Sequence, residues 1–208
     1  MHKEGDALLI QQPVYYPFRE VIEDNGRIFV NNQLHYEDGK YTIDFEDFEK
    51  KIVDNNVKVF ILCNPHNPVG RVWTKEELEK MGDICLKHNV VIMDDEIHCD
   101  FTYPGFKFTS FMTLDEKYHN SLVLYTSPSK TFNVAGLQPA NIIIKNPELR
   151  AAYRKANAAA GYSQGSIMGQ VAVKSVYTKG DEWVNELVEY ITGNMNYMRD
   201  FVKENFPK

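Results

Sequence analysis

The strongest constraint on this chain is a repeated alternation of a short apolar run, a polar cluster and a segment of helical period. Residues 7–11 read as a strand, 17–25 as a helix and 27–30 as the next strand. Residues 44–55 form an amphipathic helix with Phe45, Phe48 and Ile52 on one face. Residues 57–62 are rich in β-formers and end at Cys63-Asn64-Pro65, after which Thr74 and Glu77 have the spacing of a capping box. Residues 90–93 read as a buried strand running into Asp94-Asp95-Glu96, and 121–126 and 140–144 are further strands. Asn146-Pro147 then supplies an N-cap and a first-turn proline for another helix. Strands alternating with helices of this length predict an α/β fold, a mostly parallel sheet with helices on both faces. Beyond about residue 160 the pattern is helical, over 166–177 and 181–205, with Gly161, Gly165 and Gly169 spaced for close helix packing. The expected division is therefore a core of residues 1–160 and a helical segment of residues 161–208.

Charge and composition exclude several classes of function. The formal charge of −6 comes with no basic stripe, which argues against a nucleic-acid partner. No apolar run is long enough to span a membrane, and Met1 to Asp6 lack the pattern of a secretory leader, so a cytoplasmic location is expected. Cys63, Cys85 and Cys99 have no C-x-x-C spacing and suit a reducing compartment.

In open α/β sheets, ligands bind beyond the carboxyl ends of the strands. Four polar clusters fall there: 12–18, containing Tyr15; 64–71, containing Asn67; 95–98, containing Asp95 and His98; and 127–132, containing Ser127 and Lys130. Each has an ordinary explanation by itself. Asn-Pro makes turns, an acid after a strand caps a helix, and a lone lysine is usually solvated. The aromatic run 15–18 also suits plain core packing. Their common placement at strand ends makes a shared site the better reading. His66, His98 and Asp100 lack metal-typical spacing, and no metal site is expected.

Asn-Pro-His-Asn-Pro-Val-Gly-Arg (64–71), Asp-Glu-Ile-His-Cys-Asp (95–100) and Ser-Pro-Ser-Lys-Thr-Phe-Asn-Val-Ala-Gly-Leu-Gln (127–138), in this order, resemble fold-type I pyridoxal-phosphate (PLP) enzymes of the class I/II aminotransferase family. The branch most similar is that of the cystathionine β-lyases, bacterial C–S lyases of the MalY/PatB type. The resemblance implies roles for single residues. Lys130 would bond the cofactor aldehyde and later take the substrate α-proton, which requires a neutral amine. Asp95 would keep the pyridine nitrogen protonated, Asn67 would donate to the phenolic oxygen, Tyr15 would stack on the ring and Ser127 would bind the phosphate. His98 stands where many relatives carry a tyrosine near the phenolic oxygen, and histidine there fits the lyase branch. Gln138 stands where many aminotransferases carry a phosphate-clamping arginine, and glutamine fits the same branch.

Family members run to nearly twice this length. The resemblance thus implies a chain lacking a preceding phosphate-binding segment and a following small domain, into which 161–208 would lead. The activity implied is β-elimination from a sulfur amino acid, a small-molecule substrate, giving pyruvate, ammonia and a thiol. The alternatives are transamination, or an inactive fragment. A homodimer is expected of the full-length form.

Overall fold

The computed structural model describes residues 3–162 and 164–206. A six-stranded sheet forms its centre, built from β1 (Ala7–Ile10), β2 (Ile28–Asn31), β5 (Val59–Cys63), β6 (Val91–Asp95), β7 (Leu122–Thr126) and β8 (Asn141–Ile143). The order is β2-β1-β5-β6-β7-β8, parallel throughout except for the antiparallel β7–β8 pair at one edge. The mostly parallel sheet expected from the alternation is therefore present. A second sheet was not expected: β3 (His35–Glu37) and β4 (Lys40–Thr42) form a small antiparallel hairpin. Its turn is Asp38-Gly39, both at positive φ (48° and 77°), the conformation an Asp-Gly hairpin turn requires.

Helices cover both faces of the sheet, unequally. Strand residues alternate between faces. Phe60 and Leu62 of β5 meet α2 (Phe45–Asp54) through Phe48 and Ile52, and α3 (Lys75–Lys87) through Leu78, Met81 and Cys85. Trp73, Phe111 and Tyr118 complete this face, which holds most of the buried apolar side chains. Each such side chain contributes about 1.5–3 kcal/mol on burial. Val59 and Ile61 point the other way, toward Ile10 and toward Ile22 of α1 (Pro17–Asp24), in a far smaller cluster. The apolar strand surface beyond that cluster borders a cavity.

Helix starts follow the sequence signals. Thr74 Oγ1 accepts from the Glu77 N–H (3.2 Å), while the Glu77 carboxylate accepts from the Thr74 N–H (2.8 Å). Asp44 caps α2, and Asn146 caps α4 (Pro147–Ala159) by accepting from the N–H groups of Glu148 and Leu149. Gly82 of α3 lies directly under two rings. A Cβ there would stand 2.6 Å from Tyr118 Cε1 and 3.0 Å from Phe111 Cζ. Gly82→Ala should therefore lower the urea midpoint, losing about 1–3 kcal/mol to overpacking. That exceeds the roughly 1 kcal/mol gained from helix propensity. A variant as stable as wild type would mean that the two rings yield freely.

The last two helices, α5 (Ile167–Lys179) and α6 (Asp181–Asn205), meet at Gly180. Gly169 is the one buried residue within them, and α4 before them has none. Ile167, Met168, Tyr190, Tyr197 and Met198 are all exposed. No helix among the described residues is long and apolar enough to cross a membrane.

Candidate active site

The parallel strands β1, β5, β6 and β7 all end on one edge of the sheet, so their four exit loops share it. At the end of β5, Trp73 is fully buried and its indole N–H donates to the Cys63 carbonyl (3.0 Å). Asn64 is buried, its amide donating to the Thr109 carbonyl (3.0 Å). His66 bonds through Nε2 to the Pro13 carbonyl (3.0 Å), tying the β1 exit to the β5 exit. Burial pushes its imidazole down to about 4, so His66 is neutral and serves as a brace. The Asn67 N–H points at Cys63 Sγ (3.5 Å), and its side-chain amide makes no hydrogen bond among the described residues. Burial raises the Cys63 thiol to about 12, which makes it a packing group.

Arg71, the basic residue of the 64–71 cluster, is fully engaged elsewhere. Its guanidinium holds the Glu77 carboxylate (2.9 and 2.6 Å), donates to the Tyr41 carbonyl and stacks 4.6 Å over Trp73. It forms a structural ion pair at the start of α3.

The end of β6 sends successive carboxylates to opposite sides. Asp94 is completely buried, beside the Glu96 carboxyl. Burial, and then the Glu96 carboxyl, hold its acid well above the usual range, so Asp94 is neutral. Glu96 accepts from the Phe111 N–H (2.9 Å) and anchors the loop that returns to the core. Asp95 faces the other way, into a cavity of about 310 Å³ whose walls include Phe18, Ile61, Met93, Tyr125 and Ser127. Among the described residues, the one hydrogen bond to its carboxylate comes from the Ile97 N–H (3.1 Å). Burial raises the Asp95 acid, while the Ile97 bond and then the Lys130 charge pull it back. His98 is lowered by burial first and by the same Lys130 charge second. The lysine thus acts on both residues from across the sheet edge.

Lys130 sits on a tight turn after β7. The turn closes through Phe132 N–H to the Pro128 carbonyl (2.9 Å) and Val134 N–H to the Ser129 carbonyl (3.1 Å), with Asn133 at φ 53°. The Lys130 side chain is exposed and makes no hydrogen bond or ion pair among the described residues. Ser127 is buried in the same turn: its hydroxyl donates to the Pro139 carbonyl and accepts from the Ser129 N–H (3.1 Å). Tyr15 is half-exposed and meets Phe18, part of the cavity wall, edge-on at 5.8 Å. Asp95 and Ser127 therefore share one cavity, Tyr15 borders it, and Lys130 reaches Asp95 and His98 electrostatically. Asn67 stands on the neighbouring exit with a free amide. Gln138, at φ 51°, lines a different, more polar cavity beside Tyr153 and Asn157.

Three residues outside the expected set bear on the site. Asp100 accepts from the buried Thr131 hydroxyl (2.7 Å), and the Trp183 indole of α6 donates to the Thr131 carbonyl (3.3 Å). Thr131 follows Lys130 directly. Only the position of Asp100 within the Asp-Glu-Ile-His-Cys-Asp run could have signalled this pair.

A doubly covered, mostly parallel sheet with a half-buried carboxylate and a lysine at its carboxyl edge defines an α/β protein with a small-molecule site. The chain matches the family described as aminotransferase class I and II over residues 1–207, and it belongs to that family. It is 43% identical over 204 residues to cystathionine beta-lyase PatB of Bacillus subtilis, covering 98% of this chain and 53% of that protein. Its fold is similar to that of cystalysin from Treponema denticola, a structure containing a pyridoxal 5'-phosphate cofactor. The TM-score is 0.96 at 40% identity, over 99% of this chain and 52% of that one. The PLP-bound C-S lyase from Staphylococcus hominis matches with a TM-score of 0.91 at 34% identity, over 99% and 51% of the two chains. The chain spans about half the length of the relatives it matches.

Proposed function

We propose that this chain carries the cofactor-binding core of a PLP-dependent carbon–sulfur β-lyase. The observation that carries the reading is Asp95, a half-buried carboxylate lining an apolar cavity, within electrostatic reach of Lys130. The fit to the cofactor rests on the same residue. A carboxylate raised by burial, with one backbone donor, is relieved by a cationic ring N–H. When bound, PLP supplies an electron sink for the pair left on a substrate α-carbon.

The chain's own residues do the rest. Asp95 holds the proton on the ring nitrogen, and the Asn67 amide is free to donate to the phenolic oxygen. Tyr15 would offer a ring face, and Lys130 would bond the cofactor aldehyde and move the α-proton. His98, held neutral by burial and by the lysine charge, belongs to the cofactor-binding set beside them. Ser127 reaches a phosphate only if its hydroxyl leaves Pro139, so it is the least prepared of the set. The substrate is a sulfur amino acid of the cystathionine type, and the products are a thiol, pyruvate and ammonia. Residues 1–160 act as the cofactor-binding core and 161–208 as a helical segment of the kind that leads toward a small domain. The protein acts in the cytoplasm, as its free cysteines suit, and its full-length form is a homodimer.

Transamination is the second reading, favoured by the family match and by relatives such as a probable kynurenine–oxoglutarate transaminase of Saccharomyces cerevisiae (31% identical). Pyruvate release from cystathionine with PLP present and no keto acid separates the two. Pyruvate formed under those conditions supports the lyase. Amino transfer that needs a keto acid supports the transaminase. Neither product, with no PLP bound, would make the chain a non-catalytic fragment.

A further inference from the structure

The turn that carries Lys130 is held from two sides by groups that no step above uses. On one side, Asp100 Oδ2 accepts from Thr131 Oγ1 at 2.7 Å. Thr131 is 1% exposed, so its hydroxyl has no water to turn to, and a charged acceptor is the stronger kind of partner. On the other side, the Trp183 indole donates to the Thr131 carbonyl at 3.3 Å. Phe132 then meets Tyr177 edge-on at 6.3 Å and packs over Gly180, where any Cβ would overlap its ring. The two residues after Lys130 are therefore seated between the Asp100 carboxylate and the α5–α6 junction. The Lys130 side chain itself makes no hydrogen bond or ion pair among the described residues.

We propose that Asp100 is a positioning residue: through the Thr131 hydroxyl it fixes the turn that aims Lys130 toward Asp95 and His98, with Trp183 and Phe132 securing the same turn to the helical segment. The proposal rests on the reading of Lys130 as the cofactor lysine, but its structural half is independent of that reading. Asp100 spans the gap because it lies five residues after Asp95, on the short 3-10 turn Cys99–Phe101 that follows His98. One segment thus carries the carboxylate for the ring and the brace for the lysine. Losing the brace should leave Lys130 present but poorly aimed.

The test compares wild type with Asp100→Asn, Thr131→Val and Thr131→Ser. Amide hydrogen exchange at Phe132 and Val134 is measured first, without cofactor. Thr131→Val should speed exchange there by roughly tenfold, as loss of a hydrogen bond to a charged group would. Asp100→Asn should have a smaller effect and Thr131→Ser almost none, with β5 and β6 amides unchanged in every variant. Unchanged exchange at both turn amides in Thr131→Val and Asp100→Asn overturns the proposal, whatever PLP does. Each protein is then treated with PLP and borohydride, and the reduced adduct is mapped. Thr131→Val should lose the preference for Lys130 over surface lysines and shift the pH midpoint of the adduct's visible absorbance, while Thr131→Ser should restore both. A loosened turn with unaltered adduct selectivity and midpoint also overturns the positioning role. Wild type that fails to label Lys130 counts against the cofactor reading alone, since exchange still decides whether the brace exists.

Discussion

Lys130→Ala should abolish the borohydride-stable PLP adduct at position 130 and reduce pyruvate formation from cystathionine by at least about 10³-fold. The size follows from two roles lost together. The amine is the nucleophile for the cofactor aldehyde, and proton transfer by a placed side chain is itself worth roughly 10²–10⁴. The fold should not change. Lys130 is exposed and bonded to nothing among the described residues, so the urea midpoint should move by no more than about 0.5 kcal/mol equivalent. That separation of effects makes the variant informative. Peptide mapping that finds the wild-type adduct scattered over surface lysines, or retained in full by the variant, would remove Lys130 from its role.

The elements that carry this site were legible to different degrees, for physical reasons. Local signals were reliable where the partner lies within four residues. Thr74 with Glu77 formed its capping box, Asn146 capped α4, and Pro17 opened α1. The strands were legible because β5 is buried on both faces and reads as an unbroken apolar run. The β3–β4 hairpin is not legible beyond its Asp38-Gly39 turn signal, because its strands are short, largely exposed and carry no apolar alternation. The partners of long-range polar contacts were not legible. Nothing in the spacing of Arg71 reveals that Glu77 and Trp73 absorb its charge, or that Thr131 bonds Asp100 thirty-one residues away. Sequence spacing identifies which residue types arrive at a sheet edge; tertiary packing decides which of them remain free to bind.

Asp95→Asn should separate stability from catalysis, moving them in opposite directions. Burial raises the Asp95 acid above its ordinary range, so the native state binds that proton more tightly than the unfolded chain does. As pH climbs from about 4, the unfolded carboxyl ionises first and wild-type stability falls. Once pH passes the raised value the full penalty persists. Asparagine can keep the Ile97 N–H bond through its oxygen and never ionises. The cofactor-free variant should therefore show a higher urea midpoint than wild type at about pH 7, with the gap closing near pH 3. With PLP bound, the same change removes the charge that keeps a ring nitrogen protonated. Solvent exchange of a substrate α-proton should then fall by about 10²–10³-fold, the usual cost of deleting one aimed electrostatic partner. Lys130 would still form its adduct, which distinguishes this loss from that of Lys130→Ala. Undiminished α-proton exchange would sink the assignment of Asp95 to the ring. A midpoint gap that does not vary with pH would mean that the carboxylate is not strained by its burial, and that its place in the cavity has no cost for function to offset.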